Sequence, residues 1–265
     1  MYFRCVTLAS GSAGNSTYIE NENTKILVDC GISGLKAKNA LDLIGVNPSM
    51  IDAIFITHEH TDHISGVGVL SRRFKIPIYA LGETWTAMQK KEKIGRIAPN
   101  NKFIIHPNEK VFINDLCVVP FSVCHDAIAP VCYNIYSGDK KISILTDVGY
   151  IDENIVNNIK NCNLLLIESN YNKEMLLNSS YPEFLKKRVL GKFGHISNET
   201  CGKLISHVFS ERLKNVVLIH ISKENNTKDL AVSTVSAILN NQGIKLGNHL
   251  NIHVAEEYGV KSVKV

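Results

Sequence analysis

Apolar positions in this chain come in short bursts rather than long stripes. Near the start, "YFRCVTLA", "STYIEN" and "KILVDCG" are β-type runs punctuated by Gly, Asn and Ser, the pattern of an antiparallel meander. Helical spacing follows in "GLKAKNALDLIGV", and then "IDAIFIT", too brief for a helix, reads as a buried strand. Beyond it "GVGVLSRRF" predicts a helix, "IPIYAL" a strand and "TWTAMQKKEKIG" another helix. Five strand-like runs come next, "NKFIIH", "KVFIND", "LCVVPFSV", "VCYNIYS" and "KISILTD", and these are expected to build a second sheet. The last third alternates: a helix, the strand "NLLLIESN", helices in "YPEFLKKRVL" and "NETCGKLISHVFSERL", the strand "NVVLIHIS", the helix "DLAVSTVSAILNNQ" closed by Gly243, and a final strand. Two halves that each run from strands to helices predict an α/β chain. The expected architecture is an αββα sandwich, two mixed sheets face to face with helices on the outer faces.

Composition narrows this picture only a little. At 265 residues with 45% hydrophobic positions, the chain can bury a large core, and one domain over residues 1–265 is the expectation. A net charge of +4 suits an anionic substrate but falls short of the dense positive charge of an obligate nucleic-acid binder. The N-terminal stretch has no signal-like apolar core, and no apolar run approaches the ~18 residues of a membrane span, so a cytoplasmic protein with no membrane partner is expected. Seven cysteines, scattered without paired spacing and mostly inside apolar runs, read as buried reduced thiols.

The candidate chemistry sits where "IDAIFIT" ends. "HEHTDH" packs His58, His60, Asp62 and His63 directly after a strand. Two histidines two positions apart can reach one ion from a loop but not from a helix, which would turn them to different faces. Asp62 and His63 can then serve a neighbouring ion. Imidazole and carboxylate donors suit Zn, Mn or Fe, with a position left for water at a catalytic site. Further polar residues end later apolar strands: His125 in "SVCHD", Asp147 in "ILTDVG" and His220 in "VVLIHIS".

HxHxDH after a strand, followed in order by these motifs, resembles the metallo-β-lactamase superfamily across almost the whole chain. The resemblance implies two divalent ions per chain. His58, His60 and His125 would hold one and Asp62, His63 and His220 the other, with Asp147 bridging and Asp29 of "ILVDCG" orienting the histidine loop. Glu59, between the ligands, is expected to face solvent or a supporting partner, and Cys124 to face away into the core. His106, His207, His249 and His253 match no motif.

"LLLIESNYN" followed by "GKFGHISNETCGKL" resembles tRNase Z and RNase J enzymes, in which an extra histidine opens a helix near the scissile phosphate. Here that residue is His195, expected to be catalytic, alongside Asp62, without being a ligand, because seven residues already fill the two ions. "GHISNE" offers Ser197 or Asn198 as N-cap and a helix start suited to phosphate. Early "SGSAGNS", with Ser12 and Asn15, and late "HISKENN", with Ser222, Asn225 and Asn226, are most similar to the YycJ branch, also called WalJ or VicX, whose members are nuclease-like and associated with DNA. These residues, with Ser197 and Asn198, are the substrate-binding candidates; for "SGSAGNS" a simple tight turn is the other reading. Neither the tRNA-binding arm of tRNase Z nor the β-CASP insertion of RNase J has room here, and no cysteine stands at a ligand position as in familiar β-lactamases. No helical domain of the glyoxalase II type follows His220.

The expected activity is therefore that of a dinuclear metal-dependent hydrolase. It would be a phosphodiesterase or exonuclease-like nuclease acting on DNA more than RNA through water activated by the ions. The alternatives are hydrolysis of a small molecule such as a cyclic nucleotide, lactone or thioester, and a regulatory binding protein with an inactive site. The basic segments "SRRFK", "KKEKIGR" and "LKKRVLGK" can follow a phosphate backbone or form solvated faces.

Overall fold

The computed structural model describes residues 2–90 and 94–265. Part of "TWTAMQKKEKIG" and of "KKEKIGR" lies outside the described residues. By contact density the chain divides into two compact units. The first comprises residues 1–122, 127–139 and 255–265, and the second residues 123–126 and 140–254.

In the first unit the strands are β1 (Phe3–Ala9), β2 (Ser16–Asn21), β3 (Lys25–Val28), β4 (Ala53–Phe55), β5 (Ile78–Ala80), β6 (Lys102–Ile104), β7 (Val111–Ile113), β8 (Leu116–Ser122) and β9 (Val131–Ser137). Its helices are α1 (Gly34–Leu43), α2 (Thr61–Ile64), α3 (Val67–Phe74) and α4 (Gly82–Lys90). The second unit holds strands β10 (Lys140–Leu145), β11 (Leu164–Glu168), β12 (Asn215–Ile219) and β13 (Asn251–Val254). Its helices are α5 (Glu153–Ile159), α6 (Lys173–Asn178), α7 (Glu183–Leu190), α8 (Asn198–Val208) and α9 (Lys228–Asn241). The chain then returns to the first unit for β14 (Tyr258–Lys264).

The sheet of the first unit has seven strands in the order β14-β1-β2-β3-β4-β5-β6. Its first half is the antiparallel meander expected from the sequence, and from β3 onward the pairing is parallel. Here the structure corrects one expectation: "NKFIIH" joins this sheet, pairing in parallel with β5, rather than opening the second sheet. The physical reason is the helix α4 between β5 and β6, which makes a strand-helix-strand crossover that returns the chain beside its starting strand. Alternation along β4 serves two faces. Ile54, with Ile56 just beyond the strand, joins a core under α1 and α3 that includes Val6, Leu27, Leu41 and Leu70, whereas Phe55 turns the other way. There it meets Tyr133 of β9 edge to face, with ring centres 5.6 Å apart, and stacks on Tyr79. Strands β7 to β9 pair antiparallel.

In the second unit β10 to β13 pair in parallel in chain order. Strand β11 is buried along its entire length, as a parallel strand covered on both faces must be. Helices α8 and α9 pack on one another, and α5 packs against α8. Where the sequence predicts one final strand the structure has two, β13 and β14, separated by Ala255–Glu257, and each belongs to a different unit. None of the seven cysteines is in a disulfide. Burial, reinforced by the Asp29 carboxylate, pushes the Cys30 thiol up to about 12, so it stays protonated.

Candidate metal centre

The first unit gathers one cluster at the end of β4. The rings of His58 and His60 lie 4.5 Å apart centre to centre, and those of His58 and His63 lie 4.1 Å apart. Beneath them Asp29, at the end of β3, is buried and holds a left-handed backbone, φ 59°. One of its oxygens accepts the Thr57 backbone N–H at 2.9 Å, and the other accepts the Thr57 hydroxyl at 2.8 Å and His63 Nδ1 at 2.7 Å. A carboxylate can only accept, so Nδ1 of His63 carries the proton and Nε2 is left as a lone pair. The Asn15 side-chain nitrogen donates to that Nε2 at 3.1 Å.

The backbone of the histidine loop is locked from below. Asn15 N–H donates to the Asp62 carbonyl at 2.7 Å, and Gly31 N–H to the Asn15 carbonyl at 2.7 Å. Gly31 lies so close that a Cβ there would stand 1.6 Å from the Asp62 carbonyl oxygen. "VDCG" therefore needs its glycine to let two backbones touch.

The second unit gathers the other cluster. His125 Nδ1 faces the Gly194 carbonyl at 3.0 Å, which makes Nδ1 the donor and turns Nε2 toward Asp126 and Asp147, at 3.1 and 3.9 Å. Asp147, two residues past β10, and His220, directly after β12, both have left-handed backbones (φ 51°), and Asp147 Oδ1 lies 2.9 Å from His220 Nδ1. Glu168, the last residue of β11 and fully buried, aims one oxygen at His195 Nδ1, 3.0 Å away. Asp147, Glu168, His195 and His220 each offer a ligand atom within 4.8 Å of the others. Burial works against a charge on His195, but the carboxylates of Glu168, Asp147 and Asp126 outweigh it and hold the imidazole up at about 9.

His195 reaches this position because its loop lies on the loop after β10. A Cβ on Gly149 would stand 2.4 Å from the Gly194 nitrogen, so "DVG" and "KFGH" meet backbone to backbone. Imidazoles and carboxylates at turning strand ends are a donor set that fits borderline divalent ions.

The metallo-β-lactamase superfamily model matches residues 9–191. This chain belongs to that superfamily. It is 41% identical to the exodeoxyribonuclease WalJ of Streptococcus pneumoniae over 88% of this chain and 87% of that protein. It is 37% identical to the exodeoxyribonuclease YycJ of Bacillus anthracis over 93% and 92% of the two chains. Among solved structures, the metallo-β-lactamase fold protein YhfI of Bacillus subtilis aligns with a TM-score of 0.74 at 16% identity, covering 99% of this chain and 100% of that one. The fold is thus the metallo-β-lactamase fold, two mixed sheets with helices.

Within this metallo-β-lactamase framework the other residues singled out from sequence divide by what they touch. Ser12 is exposed, whereas Asn15 is buried in the contacts described above. Ser197 is the N-cap of α8, its hydroxyl accepting from Thr200 N–H. Asn198 and Asn226 lie together. Both are buried, and their amides bond one another, the Ser169 hydroxyl and the carbonyls of Ser169 and Asn170. They tie the end of β11 to α8 and to the segment that opens α9. Ser222 and Asn225 are buried together, the Ser222 hydroxyl accepting from Asn225 N–H at 3.2 Å.

Of the two placements expected for Glu59, solvent or a supporting partner, the structure has the second: it is buried and accepts the Ile128 N–H at 3.1 Å. Glu168 is the residue that sequence reasoning passed over. The signal was present, an acidic side chain closing the apolar run "LLLIE", the same strand-end position that marks the other site residues. Among the described residues no helix is long and apolar enough to cross a membrane.

Proposed function

We propose that this chain is a dinuclear metal-dependent phosphodiesterase that removes nucleotides from polynucleotide ends, with DNA its substrate in preference to RNA. The observation that carries this reading is the near end-to-end identity with two exodeoxyribonucleases, 41% and 37%. The two clusters at the strand ends support it with the chemistry such a reaction needs.

The residues that would hold the ions are His58, His60 and His125 for one, Asp62, His63 and His220 for the other, and Asp147 between them. Zn, Mn and Fe all suit these donors. When bound, such ions lower the pKa of water and neutralise charge developing on phosphoryl oxygens. The protein's own part is orientation. Asp29 and Thr57 orient the His63 ring through Nδ1, and the Gly194 carbonyl orients that of His125 in the same way, so in each ring Nε2 is the nitrogen turned away from those partners. Glu168 accepts from His195 Nδ1, which favours the imidazolium and leaves Nε2–H to donate to the leaving oxygen. Asp62 aligns the nucleophile.

Metal-reconstituted protein incubated with end-labelled single- and double-stranded DNA and RNA, beside bis-p-nitrophenyl phosphate and a thioester, tests the reading. A ladder shortening from one DNA end is expected. Thioester or lactone turnover with no phosphodiester turnover would replace it with a small-molecule hydrolase.

A further inference from the structure

Helix α7 and the loop after it are unusual within the second unit. No residue of α7 is buried, and the segment exposes Phe184 at 73% and Phe193 at 56%. It also carries Lys186, Lys187, Arg188 and Lys192 within seven positions. An exposed aromatic and a run of cations on one short segment do nothing for a core.

The loop's backbone contacts put Phe193 beside the segment that carries His125. Asp126 N–H donates to the Phe193 carbonyl at 3.0 Å, and Gly149 N–H donates to the Cys124 carbonyl at 2.9 Å, so the segment after β8 that carries His125 is flanked by residues 149–150 and by Phe193. Tyr150, 49% exposed, follows Gly149, and the Lys192 ammonium stands 5.1 Å from the centre of its ring. Tyr150 is three residues from Asp147, and Phe193 is two from His195. Two exposed aromatic side chains and a cation thus lie within three residues of Asp147 or His195 along the chain. Arg188 pairs with Asp126, and Lys186 with Glu183 and the Leu177 carbonyl, whereas Lys187 and Lys192 are exposed to solvent.

We propose that Tyr150, Phe193 and Lys192 form a stacking step for unpaired bases beside the scissile linkage. Its occupant is a single-stranded stretch of polynucleotide, and the step selects frayed or single-stranded ends over duplex. Aromatic faces stack on any base, while lysines follow the phosphates between them, a pairing that recurs where single strands are held without sequence preference. The charge is complementary: Lys187 and Lys192 meet a polyanion. A duplex hides its base faces and cannot use the step.

This inference rests on the nuclease reading, and the test separates the two. Binding is measured by fluorescence anisotropy on the metal-loaded protein, using a labelled phosphorothioate single strand that resists cleavage, the same strand made abasic, and a blunt duplex. Wild type is expected to prefer the base-bearing strand to both others. The double variant Tyr150→Ala, Phe193→Ala should lose that preference, weakening about 5- to 150-fold per unstacked base while its affinity for the abasic strand stays level. Tyr150→Phe with Phe193→Tyr should retain it, which separates stacking from a fold defect. Lys192→Ala should lower the slope of log affinity against log salt by about 0.7.

A wild type that binds base-bearing and abasic strands equally, or duplex as tightly as single strand, would overturn the stacking step and leave the nuclease reading intact. A double variant that keeps the preference would do the same. A wild type that neither binds nor cuts any strand would overturn the nuclease reading, and the step with it.

Discussion

Glu168 Oε2 lies 3.0 Å from His195 Nδ1, and the carboxylate's other oxygen is held by the backbone N–H groups of Ile196 and Val148, at 2.9 and 3.1 Å. The carboxylate cannot swing away, so the imidazole that it holds cannot either. That rigidity distinguishes a proton donor from a surface histidine.

His195→Ala should therefore keep both metals and near-normal thermal stability while losing about 10²- to 10⁴-fold in rate on a nucleic-acid substrate. Bis-p-nitrophenyl phosphate should suffer less, because its leaving group needs little protonation. Metal content measured beside both rates checks this, and the compact quartet with Asp147, Glu168 and His220 makes the measurement sharp. An ion lost with the imidazole would make His195 a ligand.

Asp147→Ala should lower occupancy of both ions and the melting temperature together, since metal binding contributes to folding. Chelation of the wild type should produce a shift in the same direction. Elemental analysis that finds two full equivalents in the mutant would refute the bridging role.

Asp29→Ala removes the acceptor of three donors, two on Thr57 and one on His63, in a buried position. A cost of several kcal/mol is expected, at about 1–3 for each stranded donor. Metal affinity should fall roughly 10- to 100-fold as His63 loses its orientation. Denaturant unfolding and metal titration of the same variant read the two effects separately.

Gly31→Ala should be more damaging than its size suggests. The added methyl meets a backbone oxygen, which cannot rotate away as a side chain would, so the histidine loop must shift bodily. Loss of metal binding with a lowered melting temperature is expected, and calorimetry beside metal titration would show it. Gly45→Ala, where the methyl meets nothing within 4 Å, is the control for space, though its φ of 75° adds backbone strain of its own.

The sequence made the strand-end residues legible because chemistry there follows a simple rule: an apolar run stops, and within two residues comes a His or an acidic side chain. His58, His125, Asp147 and His220 all obey it. Glu168 obeys it too but lay inside a motif read for its downstream histidine. The strand at Lys102–Ile104 was recognisable as a strand and misplaced among sheets, because an apolar run does not say which neighbour it will pair with. Asn198 and Asn226 were legible as polar residues in a functional neighbourhood. Only coordinates show their amides spent on each other and on backbone carbonyls.

Asp29, Asp147 and His220 share a left-handed backbone that costs an ordinary residue roughly 1–2 kcal/mol. Each of these three strands thus ends in a small debit, placed where a side chain must turn toward the reaction. At Asp29 the three hydrogen bonds to Thr57 and His63 outweigh that strain, so a breeding programme that selected only for heat tolerance in metal-free protein would be drawn to the other two positions, where glycine relaxes the chain. The substitutions it favoured there would relax the backbone and remove the side chains that the chemistry needs.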